Sequence, residues 1–293
     1  MSIPSSRIAK PSANDQNGPS GQALWPRIRS GIHRGAQSFL YVTLTLATGL
    51  ILWQLTVVIF HIPSYILPRP YPVFRLIAVA RAELISDILV TAKEALLGIG
   101  AAIIVGVSGA LLIVTSKRIG RFIYMIFIWS QVVPKVAIAP LFVIWFGFGF
   151  LPKVLVAFLI SFFPIIVDSV AGLVSVDQKF STLSRSMGAR PVQQFWKIRL
   201  PGALPYFFSG LKTAVTLAVV GAVVSEFIGA DSGLGYVLVS SMSNLDTALV
   251  FASILLMSAL GLLLFLAVEL AERLLIPWHH SQGGPIGTAK ESL

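Results

Sequence analysis

The chain has 293 residues, 56% of them hydrophobic and only 12% charged, with a formal net charge of +10 and a mean hydropathy of +0.85. So apolar a composition excludes an ordinary soluble domain and predicts a polytopic protein whose solvent is a bilayer. The absence of cysteine excludes a disulfide framework, a thiol nucleophile and a thiolate metal site.

Residues 1–37 are rich in Ser, Pro, Gly and Asn, carry scattered basic charge and lack the apolar core of a cleaved signal peptide. They are expected to form a flexible cytosolic tail, as are residues 279–293. Between them, residues 38–278 form the transmembrane domain. A spanning helix needs about 20 apolar residues, and stretches near 39–60, 95–115, 122–146, 153–175, 206–229 and 249–276 supply them. They are continuously apolar rather than alternating, which excludes barrel strands and predicts an all-α bundle of about six spans.

In the first stretch, Thr43, Thr45, Thr48 and Thr56 can bond their hydroxyls to the preceding turn and so need no functional role. The following IPSYILPRPYPVF is too Pro-dense for a helix, and Pro63, Pro68, Pro70 and Pro72 predict an extended path outside the membrane. Ser86–Glu94 reads as a polar lead-in to the second span. There Gly98, Gly100, Gly106 and Gly109 offer small surfaces for close helix approach.

The third stretch is interrupted by Gln131, Pro134, Lys135 and Pro140. A charge at membrane depth costs roughly 2.5–3.5 kcal/mol on insertion scales. Either these residues wall a wet passage, or the helix is kinked and Lys135 snorkels to an interface. FGFGFLP, from Phe146, predicts the next turn. Asp168 either bonds between helices in its protonated form or lines the path. Glu226 is a gate or pathway group or a helix-packing partner. Glu269 and Arg273, four apart in the favourable order, predict a local ion pair.

Basic charge sorts by side. Lys117, Arg118, Arg121, Lys179, Arg185, Arg190, Lys197 and Arg199 gather in segments on one side. Across the membrane lie Arg69, Arg75, Arg81, Lys93 and Lys153, the first four interleaved with Glu83, Asp87 and Glu94. This asymmetry places both termini in the cytoplasm and argues against a nucleic-acid partner.

The stretch TLSRSMGARPVQQFWKIRLP, residues 182–201, is polar and basic between two apolar spans. Phe180, Leu183 and Met187 share one face of a short helix over 178–187. Gly188 can take the left-handed backbone that ends it, Pro191 suits the first turn of a second piece, and Pro201 and Pro205 are expected to stop that piece. By local pattern alone this is either a basic amphipathic segment lying on the membrane or a docking element.

The stretch resembles the cytoplasmic coupling loop of importer-type ABC permeases, whose pattern is Glu-Ala-Ala, three residues, Gly, then about nine residues to Ile-x-Leu-Pro. Gly188, Ile198, Leu200 and Pro201 fall on it. The Glu-Ala-Ala positions hold Thr182, Leu183 and Ser184, so the family's carboxylate contact is missing. AIAPLFVIWFGFG, and Gly229, Gly233, Leu234, Gly235 and Tyr236 after Glu226, resemble the same family, and the likeness runs from about Leu67 to Trp278. The chain is similar to permease subunits of the type that includes sulfonate, taurine, nitrate and thiamine-precursor systems. The resemblance implies two permease copies in the inner membrane, a cytosolic ATPase dimer that binds the ATP, and an extracytoplasmic solute-binding protein. It implies ATPase coupling through Thr182, Leu183, Ser184, Met187, Gly188, Ala189, Ile198, Leu200 and Pro201, and a path with Gln131, Lys135, Asp168 and Glu226 as candidates. Lys135 would suit a sulfonate-like anion.

No P-loop, His-Glu-x-x-His or Gly-x-Ser-x-Gly pattern occurs, and His33, His61, His279 and His280 lie outside the expected spans. No catalytic or metal site and no cofactor are therefore expected in this chain. The competing class is an ion-coupled secondary carrier using Asp168, Glu226 and Lys135 as its relay, which would have no use for the coupling loop.

Overall fold

The computed structural model describes residues 25–175 and 183–278, with the backbone alone described at 25–40, 42, 117 and 119. Thr182, Phe180, Lys179 and the segments 1–24 and 279–293 lie outside the described residues. The helices are α1 (Trp25–Ile59), α2 (Pro70–Val79), α3 (Arg81–Thr115), α4 (Lys117–Val132), α5 (Lys135–Phe146), α6 (Phe150–Ser175), α7 (Pro191–Gln194), α8 (Leu200–Gly229), α9 (Leu234–Ser243) and α10 (Thr247–Leu275). A π-helical turn, Phe195–Arg199, joins α7 to α8. No strand occurs among the described residues.

Helix α1 belongs to a unit of its own, Met1–His61. It starts at Trp25, inside the 1–37 segment read from composition as a tail. Its hydroxyls behave as expected: Thr45, Thr48 and Thr56 donate to the carbonyls of Tyr41, Leu44 and Leu52 at 2.7–2.8 Å.

In the second unit, α3, α6, α10 and the continuous run Pro191–Gly229 are each long and apolar enough to cross a membrane. Helices α4 and α5 are apolar and long enough only when taken together, and they are bent by 92° between Val132 and Lys135, the geometry of a broken span or of a re-entrant loop. Pro134 lies at that break, while Pro140 sits within α5. The apolar part of α1 described here, Thr43–Ile59, is shorter than these spans.

Two proline readings are corrected. Pro70 and Pro72 do not keep their segment extended; they open α2, where the first backbone N–H groups have no intrahelical partner to lose. Pro201 and Pro205 do not stop the second piece of the 182–201 stretch. In the π-helical turn Leu200 N–H bonds to Phe195 C=O, Pro201 follows in the first turn of α8, Pro205 is carried inside α8, and the helix runs unbroken for 39 residues.

The core is built by close backbone approach, the means of packing where lipid supplies no hydrophobic drive. A Cβ on Gly98 of α3 would stand 2.6 Å from Ala157 Cβ and 2.9 Å from Phe158 N of α6. Gly221 of α8 meets Ala157 from the other side, and Gly210 and Gly172 repeat the contact along the α6–α8 seam. Gly106 and Gly109 pack on Ile165 and Ile166 as expected, whereas Gly100 faces open space. Ala95, Ala102, Ala214, Ala218 and Ala222 are fully buried along the same seams.

Candidate functional site

The segment after α6 is helical over residues 183–186 and ends at Gly188 with φ +82°. Gly188 N–H donates to Arg185 C=O at 2.9 Å, and Ala189 N–H to Ser184 C=O at 3.0 Å. These paired bonds are the Schellman closure of a helix C-terminus, which needs the left-handed residue that glycine supplies at little cost. Pro191 then opens α7, and Gln193 Oε1 accepts from Arg190 N–H at 2.9 Å to close its first turn. The result is helix, tight turn, helix, as the glycine and proline spacing predicts.

Between the two pieces lies a cleft of about 370 Å³ lined by Ser184, Met187, Gly188, Ala189, Gln193, Gln194, Lys197 and Ile198. Leu183 and Met187 are 58% and 79% exposed, an apolar pair one turn apart that no described residue covers. Leu200 and Pro201 begin α8 and tie the segment directly to a spanning helix.

The four polar groups expected in the path are not brought together. Gln131 is exposed just before the α4–α5 break. Lys135 follows the break with Nζ 5.8 Å and 5.4 Å from the ring centroids of Phe162 and Phe163, a cation over aromatic faces. Asp168 packs against Gly210 and bonds to Ser209, both on α8.

Glu226 belongs to a buried network at the end of the bundle opposite residues 183–199. Its Oε1 accepts from Thr91 Oγ1 at 2.7 Å and its Oε2 from Gly235 N–H at 2.5 Å. Thr91 Oγ1 in turn accepts from Leu234 N–H at 2.9 Å, and Asp87 Oδ1 from Gly233 N–H at 2.8 Å. Three side chains thus satisfy the free N–H groups at the start of α9. Glu94, one turn from Thr91, is fully buried and pairs with Lys153 Nζ of α6 at 3.2 Å. That pair lines a cleft of about 620 Å³ with Lys93, Phe148 and Asp231.

Sequence reasoning missed a second buried pair, Lys212 of α8 with Glu272 of α10 at 2.6 Å. Its signal was the lone lysine in an otherwise apolar stretch. The expected pair of Glu269 and Arg273 forms at 2.5 Å on a more exposed face.

A bundle of apolar spanning helices, broken at a charged residue and joined without interruption to an exposed helix–turn–helix, defines a polytopic membrane permease. Residues 98–277 match the family described as binding-protein-dependent transport system inner membrane component, and the chain belongs to that family. It is 36% identical to the formylaminopyrimidine transport permease protein ThiX of Halalkalibacterium halodurans, over 80% of this chain and 93% of that one. It is 33% identical to the riboflavin transport system permease protein RibX of Chloroflexus aurantiacus, over 87% and 96%. The taurine transport system permease protein TauC of Escherichia coli is 31% identical over 80% and 88%. The chain is thus a transmembrane permease subunit of an ATP-driven solute importer, a transport component rather than an enzyme. Family membership implies an ATPase and a solute-binding protein as partners and a multi-pass place in the inner membrane.

Proposed function

We propose that two copies of this chain form the translocation path for a small polar solute, with residues 177–199 docking into a cytosolic ATPase dimer. The observation that carries this reading is continuity. The Gly188 turn leads into a 39-residue helix with no break from Pro191 to Gly229. Its far end is fastened through Glu226 to α3 and α9. A push on the exposed face of Leu183 and Met187 therefore reaches the opposite end of the bundle as a rigid-body movement. The alternative, a basic segment lying on the membrane, would not require so stiff a connection.

Both termini face the cytoplasm in this arrangement, by the sorting of basic residues. Residues 38–278 are the permease domain. Gln131 and Lys135 flank the break and line the path, while Asp168 and Glu226 hold the helices that wall it. The relatives are named for formylaminopyrimidine, riboflavin and taurine, which points to a small polar solute, and Lys135 suits a sulfonate-like anion among such solutes. The capture step belongs to the binding protein.

Gly188→Val tests the coupling. Valine is disfavoured at φ +82° by its own backbone, although no neighbouring atom stands within 4 Å of the added Cβ. The expected result is normal membrane insertion with loss of uptake and of solute-stimulated ATP hydrolysis. Uptake at the wild-type rate would refute the assignment, as would uptake by the chain alone on an ion gradient.

A further inference from the structure

The cleft of about 620 Å³ at the end opposite residues 183–199 is walled by α3, by the start of α6 with the turn before it, and by the turn from α8 to α9. Its charged lining is Lys93 and Glu94 of α3, Lys153 of α6 and Asp231 of the last turn. Two cations and two anions leave it with no net charge, yet they do not all pair with one another. Glu94 and Lys153, both buried, meet at 3.2 Å. Lys93 and Asp231 are exposed, and neither side chain forms an ion pair or hydrogen bond with a described residue. Lys93 Nζ stands over the Phe150 ring, 5.2 Å from its centroid.

Glu94 carries a second, independent sign of a ligand. It is fully buried, and neither of its carboxylate oxygens accepts a hydrogen bond. Lys153 balances the charge but not the lone pairs, and buried polar atoms without a donor are uncommon because their desolvation is then uncompensated. A donor entering the cleft would complete them. Phe148 forms an apolar side wall, since its ring lies against Gly229, where an added Cβ would run into it.

We propose that this cleft binds a small zwitterion, a molecule with an ammonium and an acidic group on one short chain. The acidic group meets Lys93, the ammonium is drawn to the side of Asp231 and Glu94, and the rings of Phe148 and Phe150 cover the methylenes between them. Charge complementarity selects this occupant. A simple anion would meet Lys93 but be repelled by Asp231 and Glu94, and a simple cation would meet the reverse. An uncharged solute would leave Lys93 and Asp231 unanswered. This deepens the transport reading and rests on it in one respect: if residues 183–199 face the ATPase, the cleft is at the entry end and the zwitterion is the solute.

The test measures binding to the full-length chain in nanodiscs by saturation-transfer NMR, with empty nanodiscs as the baseline. The probe is 2-aminoethanesulfonate, compared with ethanesulfonate, which lacks the amine, and ethylamine, which lacks the acid. The zwitterion should bind about tenfold more tightly than either fragment. K93Q and D231N should each erase that advantage, whereas K93R and D231E should retain it. Both positions are exposed, so the variants should melt with the wild type. Binding of ethanesulfonate as tight as that of the zwitterion would overturn the proposal, as would no binding of the zwitterion or an advantage unchanged in K93Q and D231N. No ATPase is present, so the result is separable from the coupling assignment. Lost uptake in G188V with no zwitterion binding would sink the cleft alone, and zwitterion binding with wild-type uptake in G188V would sink the coupling alone.

Discussion

Glu226 of α8 and Gly235 of α9 are joined by a 2.5 Å hydrogen bond in which the backbone N–H of Gly235 donates to Glu226 Oε2. The relationship explains why the two glycines of the turn flank Leu234. A Cβ on Gly235 would stand 2.7 Å from Glu226 Cβ and Oε2, and a Cβ on Gly233, where φ is +105°, would run into the same carboxylate. Glutamate and glycines are therefore one unit. The carboxyl can reach the free N–H groups at the helix start only because nothing stands in front of them.

Removing the acceptor should destabilise the protein. E226A leaves Gly235 N–H buried and unpaired, a cost of about 1–3 kcal/mol before any cavity is counted. Thr91 offers a cleaner comparison, since T91V keeps the shape while orphaning Leu234 N–H, and T91S keeps the hydroxyl. Thermal unfolding of the detergent-solubilised chain should rank wild type and T91S above T91V and E226A. Indistinguishable melting of T91V and wild type would show that the network contributes nothing to stability.

Gly98 and Gly100 should respond oppositely to the same change. Gly98→Ala pushes a methyl to 2.9 Å from a backbone nitrogen of α6, which cannot rotate away, so α3 and α6 must separate. Gly100→Ala adds its methyl to open space and gains helix propensity of up to about 1 kcal/mol. G98A is expected to lower the melting temperature and the yield of folded protein, and G100A to leave both unchanged or raised.

Lys135 separates a role in transport from a role in packing. Its contact with the Phe162 and Phe163 rings contributes about 0.5–2 kcal/mol. If the solute is an anion that meets Lys135 in passage, loss of a charge-assisted contact corresponds to about a 10–100-fold decrease in uptake. K135Q should therefore abolish most uptake while binding-protein-stimulated ATP hydrolysis persists. A parallel decline of uptake and folded protein would assign Lys135 to packing alone.

The parts legible in the sequence were those fixed by local chemistry. Gly188 and Pro191 announce a left-handed helix end and a helix start because few other residues suit those positions. The break at Pro134 and the pair of Glu269 with Arg273 are likewise settled within one turn of chain. What escaped depends on which helix lies opposite. Gly172, Gly210 and Gly221 are packing contacts only because α6 and α8 run side by side. Glu226 meets Thr91 across 135 positions of sequence. The prolines at 201 and 205 misled because Pro201 falls in the first turn of α8, behind a π-helical turn invisible in composition, and Pro205 is carried within α8.

The two ion pairs near the end of α10 should differ sharply in worth. Lys212 and Glu272 are 2.6 Å apart with side chains only 20% and 9% exposed, and Lys212 also stands over the Phe265 ring. K212M leaves the Glu272 carboxylate without its counter-charge in a largely buried seam, a loss of about 3–5 kcal/mol. K212M/E272L removes both charges and should recover most of that loss, because an apolar pair has no desolvation cost to offset. Arg273 is 70% exposed, and its pair with Glu269 is worth about 0.3–0.5 kcal/mol, so R273Q should be nearly silent. A double-mutant cycle on thermal stability measures both couplings. A Lys212–Glu272 coupling no larger than that of Glu269–Arg273 would mean that water or lipid headgroups reach the α8–α10 seam.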